Sequence, residues 1–105
     1  MIRFRSPVLE ENKVGDKGIY LTEGGSWDTF PAFAEDLISQ LGGEITYRSE
    51  VVTGHWWEFN LKGHKLRLIY DEFPINGVWL EQQASGSNEF MVSLYDEFVT
   101  SKRGQ

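Results

Sequence analysis

Residues 55–71, HWWEFNLKGHKLRLIYD, decide the fold, because they read as one β-hairpin whose two halves agree position by position. Lys62 and Gly63 form a two-residue turn, so Leu61 faces His64, Phe59 faces Leu66, Trp57 faces Leu68 and His55 faces Tyr70. That side of the ribbon is apolar. The other side pairs Asn60 with Lys65, Glu58 with Arg67 and Trp56 with Ile69, setting opposite charges face to face where cross-strand pairs contribute roughly 0.2–1 kcal/mol.

Working outward, residues 44–52 alternate Ile45 and Tyr47 against Thr46 and Arg48 and read as a strand leading into the hairpin. Before it, Phe30, Phe33, Leu37 and Leu41 recur at the helical period, with Asp28 or Thr29 as cap and Pro31 in the first turn, where its missing N–H does no harm. Gly42-Gly43 supplies the left-handed stop. Residues 18–22 are a short strand closed by Gly24-Gly25, Glu10 to Asp16 is polar and turn-like, and Met1 to Arg5 is an edge-strand candidate interrupted by Pro7. After the hairpin, Pro74, Asn76 and Gly77 make a turn into a strand over Val78 to Glu81. Residues 82–88, QQASGSN, then connect to a helix carrying Phe90, Met91, Leu94, Tyr95 and Phe98, with Ser87 or Asn88 as cap.

Short turns between consecutive strands imply an antiparallel sheet, and each helix has a single apolar stripe to bury. The expected fold is therefore α+β, a two-layer sandwich with an antiparallel sheet of four to six strands and both helices on one face. A length of 105 residues fits one domain over 1–105. The 40% hydrophobic and 14% aromatic content is too rich for disorder despite a net charge of −6. Cysteine is absent, so stability comes from packing and no thiolate chemistry is available. No stretch resembles a signal-peptide core or approaches the ~20 apolar residues of a membrane span, and the expectation is a cytoplasmic protein. Sixteen acidic against ten basic residues argue against a nucleic-acid ligand and for a basic protein partner.

Chemistry-bearing patterns are scarce. The hairpin register puts His55 and His64 at opposite ends of the ribbon, about six residues apart at ~3.3 Å each, too far for one ion, and no cofactor or metal is expected. Asp71 and Glu72 are adjacent in an extended segment and point apart, and no calcium-loop pattern surrounds them. Gly24-Gly25-Ser26 lacks the Lys-Ser/Thr that completes a phosphate loop, and no serine sits in a nucleophile elbow. No catalytic residue is assigned.

What stands out is the side of the sheet turned away from the helices. If the helices cover Trp57, Phe59, Leu66, Leu68 and Tyr70, then Trp56, Ile69 and Trp79 project outward among Glu58, Asp71 and Glu81. Tryptophan desolvates a large area at low entropic cost, and acidic neighbours steer a basic partner toward it. These six residues form the expected partner-binding face. The competing explanation is that the N-terminal segment, or a second copy in a homodimer, covers them.

The chain resembles small uncharacterised bacterial proteins of about this size that share a Trp-x-x-Phe-Pro-x-Phe-Ala helix start and a Trp-Leu-Glu strand. Here those are Trp27, Phe30, Pro31, Phe33 and Ala34, then Trp79, Leu80 and Glu81. The resemblance implies a domain of unknown activity and transfers no catalytic residue. In size and acidity alone the chain is also similar to immunity proteins, which neutralise basic toxins. Two functions follow as expectations: a binding module of that kind, or a small ligand-binding or enzymatic domain with a pocket between sheet and helices lined by His55, Tyr70 and Tyr95.

Overall fold

The structure, a computed structural model, describes residues 7–23, 26–72 and 76–103. Eight elements follow one another: β1 (Val8–Glu11), β2 (Lys17–Glu23), α1 (Phe30–Leu41), β3 (Glu44–Val51), β4 (Gly54–Leu61), β5 (His64–Asp71), β6 (Gly77–Gln82) and α2 (Asn88–Arg103). The six strands form one sheet in the order β1-β2-β6-β5-β4-β3, antiparallel at every junction. The fold is the expected α+β one.

The hairpin adopts the register its sequence specifies, from Leu61 opposite His64 to His55 opposite Tyr70. Its turn requires positive φ at both central positions, and Lys62 and Gly63 supply 50° and 84°. Helix α1 starts at Thr29 and stops at Gly42, whose φ of 84° lets Gly42 and Gly43 donate back to Ser39 and Ile38. Thr29 serves as N-cap through its carbonyl, which accepts from the Phe33 N–H at 3.3 Å, while its hydroxyl bonds that of Ser26 at 2.9 Å and not the helix.

Helix α1 lies over β3 and β4 and α2 over β1 and β2, side by side on one face of the sheet. Between the layers, Phe30, Ala34, Leu37 and Ile38 of α1 and Met91, Leu94 and Phe98 of α2 meet Ile19, Leu21, Trp57, Phe59, Leu66, Leu68 and Leu80, all nearly inaccessible to solvent.

Several expectations are corrected and others lie outside the described residues. Ile45 and Tyr47, expected on one side of their strand, are split by a bulge between them: Ile45 pairs with Phe59 on the inner side and Tyr47 with Glu58 on the outer. Glu10 and Glu11 belong to β1, not to a turn: Glu11 pairs with Lys17 in the ladder and their side chains join at 2.9 Å. Of the two cap candidates for α2, Ser87 takes the N-cap place, its carbonyl accepting from the Met91 N–H at 2.9 Å, while the Asn88 side chain is committed elsewhere, accepting from the Lys17 amide at 2.8 Å and Gln82 Nε2 at 2.7 Å and donating to the Gly15 carbonyl at 2.9 Å. Asn88 clamps the β1–β2 loop to the start of α2. The edge strand expected over Met1 to Arg5, the Gly24-Gly25 stop and Pro74 of the turn before β6 fall outside the described residues.

Candidate functional face

Side chains alternate across a strand, so the ladder register fixes which residues share the face opposite the helices. Reading directly opposed positions across the sheet gives Val8, Tyr20, Trp79, Ile69, Trp56 and Ser49, one from each of β1, β2, β6, β5, β4 and β3. This is a continuous row, mostly apolar, crossing the whole outer face. The Tyr20 and Trp79 rings meet edge to face at 5.1 Å. Gly77 makes room for that pair, because a Cβ there would lie 2.8 Å from the Tyr20 ring.

A second row runs beside the first: Tyr47, Glu58, Arg67 and Glu81. Arg67 is the keystone. Its guanidinium lies over the Trp56 ring at 4.3 Å and reaches Glu58 at 3.6 Å and Glu81 at 3.8 Å, while the Trp56 indole N–H donates to Glu58 at 3.1 Å. Trp56 is still 44% exposed although Arg67 and Glu58 both hold it. A large aromatic surface is thus kept wet and in one orientation.

All six residues expected at a partner-binding face, Trp56, Glu58, Ile69, Asp71, Trp79 and Glu81, stand on this outer side. Sequence reasoning missed Val8, Tyr20 and Tyr47, which extend it. The alternation of Ile19, Tyr20 and Leu21 carried the signal for Tyr20, but nothing local reveals that β2 lies beside β6. Among the residues whose side chains are described, the register also places Glu10 and Glu44 here, so five carboxylates, Glu10, Glu44, Glu58, Asp71 and Glu81, face two cations, Lys65 and Arg67. At the β1–β2–β6 end the face dips into a hollow of about 130 Å³, bordered by Glu10, Asp16, Lys17, Gly18, Trp79 and Glu81.

The two histidines sit on the inner side at opposite ends of the hairpin. His55 is buried, its ring stacked on Phe30 at 5.0 Å and 4.6 Å from Trp27. Its Nε2 donates to the Trp27 carbonyl at 2.8 Å, which leaves Nδ1 buried without a hydrogen bond, 3.9 Å from the Glu50 carboxylate. Tyr70 packs against both rings, 5.9 Å from Phe30 and 6.2 Å from His55, so the three rings touch one another where a ligand pocket lined by His55 and Tyr70 was expected. Tyr95 stands on α2, over the other half of the sheet. Burial and the nearby Glu72 carboxylate, to which its hydroxyl donates at 3.4 Å, push the Tyr70 phenol up from its ordinary value, with Asp71 adding to the shift and Asn76 opposing it.

His64 stacks on Phe90 at 4.0 Å and shares a 2.7 Å hydrogen bond with the Ser87 hydroxyl. The contact fastens the β4–β5 turn to the start of α2. No group of three His, Asp or Glu side chains able to hold a metal ion occurs among the described residues. None of the described helices is long and apolar enough to cross a membrane.

A six-stranded antiparallel sheet with two helices on one face and an aromatic, acidic opposite face defines a two-layer α+β domain. Over residues 9–96 the chain matches the family model described as a protein of unknown function (DUF3630), and it belongs to that family. No curated protein and no solved structure matches it.

Proposed function

We propose that this chain is a cytoplasmic protein-binding module that docks a basic protein on the outer face of its sheet, as an immunity protein does when the basic partner is a toxin. The observation that carries the reading is Trp56: exposed, yet pinned by Arg67 and Glu58 beside Ile69 and Trp79. An aromatic side chain already ordered before binding loses little entropy on docking, which is the condition for a strong anchor. The five carboxylates on that face supply steering toward a basic surface. The hollow beside Trp79 suits a partner's Lys or Arg side chain, with carboxylates at its rim and an indole at its wall.

The test begins with affinity capture from the source cell and proceeds to surface-plasmon kinetics with the purified partner. Trp56→Ala and Trp79→Ala, each verified as folded by circular dichroism, are expected to weaken the complex by about 2 kcal/mol or more through faster dissociation. Unchanged rates for both variants overturn the reading. A captured partner that is acidic, or a second copy of this chain on the same face, overturns it as well.

A further inference from the structure

The two edges of the sheet are unlike. β1 spans four residues, follows Pro7 and carries Glu10 and Glu11, features that blunt an edge against pairing. β3 spans eight residues without Pro or Lys, and among the described residues no strand pairs with its outer side. Its bulge lies between Ile45 and Tyr47, and from Tyr47 to Val51 the strand pairs regularly with β4. Exposed large apolar residues lie along its length and at its end, Tyr47 at 53%, Val51 at 62% and Val52 at 92%, with Trp56 directly opposite Ser49, while Val8 and Val14 are exposed at the β1 edge.

A second β3 can slide antiparallel along the first in several two-fold registers. Centred on Thr46, it opposes Glu44 to the partner's Arg48, but it spans the irregularity of the strand between Ile45 and Tyr47. Centred on Arg48, it sets Arg48 against itself. Centred on Glu50, it sets Glu50 against itself. Centred on Tyr47, it opposes Glu44 to Glu50. Centred on Ser49, it opposes Arg48 to the partner's Glu50 and Tyr47 to the partner's Val51, each twice by symmetry, with like charges nowhere facing. Directly opposed residues in an antiparallel pair share a face, so this register also keeps inner residues inner and outer residues outer. Arg48 meets Glu35 at 3.6 Å and lies over the Trp57 ring at 4.7 Å, yet its side chain stays more than half exposed at the open edge, where a partner's carboxylate can reach it.

We infer that β3 is a self-association edge, where a second copy of this chain adds antiparallel about a two-fold axis at Ser49. The two sheets become one of twelve strands. The outer row that ends at Trp56 and Ser49 then runs on through the partner's Ser49 and the partner's Trp56, doubling the aromatic face. The inference stands apart from the proposed function, since it concerns the strand edge and not the face.

Sedimentation velocity across micromolar to millimolar protein should show the mass moving from 12.1 kDa toward twice that value. Arg48→Glu should weaken the dimer by roughly tenfold or more, by placing like charges opposite at two sites, and Arg48→Glu with Glu50→Arg should restore it. The chain has no cysteine, so Ser49→Cys introduces the sole thiol, and under mild oxidation it should cross-link far faster than Ser93→Cys on α2. Circular dichroism checks the fold of each variant, and the cysteine pair decides the matter even if the charge variants misfold. A wild-type chain that stays monomeric throughout overturns the inference. So does a dimer in which Ser49→Cys links no faster than Ser93→Cys, or one that Trp56→Ala abolishes while folded Arg48→Glu leaves it intact.

Discussion

Two neighbouring tryptophans show how one position in a strand decides what a side chain is for. Trp57 is 3% exposed, touching Phe30 edge to face at 5.8 Å with Arg48 over its other side at 4.7 Å, whereas Trp56 is 44% exposed. Trp57→Ala should therefore cost about 3–5 kcal/mol, a large aromatic cut from a packed core, and Trp56→Ala about 1 kcal/mol or less. Thermal melts of the two variants check the face assignment, and equal losses would contradict it. Tyr70 makes a second residue-level expectation. Its folded-state phenol holds the proton more tightly than the unfolded chain does, because burial and the Glu72 charge disfavour the phenolate. That stability is fully present below the ordinary phenol value of about 10 and is lost as pH rises through the higher folded value. Denaturant midpoints measured from pH 8 to pH 11 should fall less steeply for Tyr70→Phe than for the parent chain, and identical slopes would remove Tyr70 as the cause.

Among the elements, what could be read in the sequence was what is local. The β4–β5 hairpin was legible to the residue because its two-residue turn fixes the register, and α1 was legible from its 3.6-residue period and the Gly42 stop. β1 was not, because four residues ending in two glutamates carry little alternation, and their pairing depends on Lys17 across the ladder. The insertion of β6 between β2 and β5 was equally hidden, since strand order is set by contacts distant in sequence. That is why Trp56, Ile69 and Trp79 could be assigned to one face while Val8 and Tyr20, beyond the non-local junction, could not. The hairpin turn also offers an element-scale test. Lys62 holds φ of 50°, where a lysine is strained and an asparagine is not, so Lys62→Asn should raise stability by about 0.5–1 kcal/mol without moving the register. Gly63→Ala, at φ of 84°, should lower it by about 1 kcal/mol or more. Urea midpoints of the two variants should move in opposite directions.

For the whole molecule, the decisive separation is between net charge and where the charge sits. The chain carries −6 overall, so any basic protein is drawn toward it at long range, and that attraction alone would not single out the outer face. Local steering does: if the partner docks against the row from Val8 to Trp56, carboxylates on that side act at the distance where screening is weakest. Asp71→Asn and Glu81→Gln should each slow association severalfold and flatten its salt dependence, while leaving dissociation nearly unchanged. Glu81 also holds one side of Arg67 at 3.8 Å, but Glu58 remains to keep the guanidinium over Trp56, so the aromatic anchor should survive the change. The control is Asp36→Asn on the exposed side of α1, which removes the same unit of charge from the opposite layer. Association rates measured at two salt concentrations should respond to the sheet-face variants and hardly to Asp36→Asn. An equal response to all three would mean that net charge alone attracts the partner, and the outer face would lose its claim to be the docking surface.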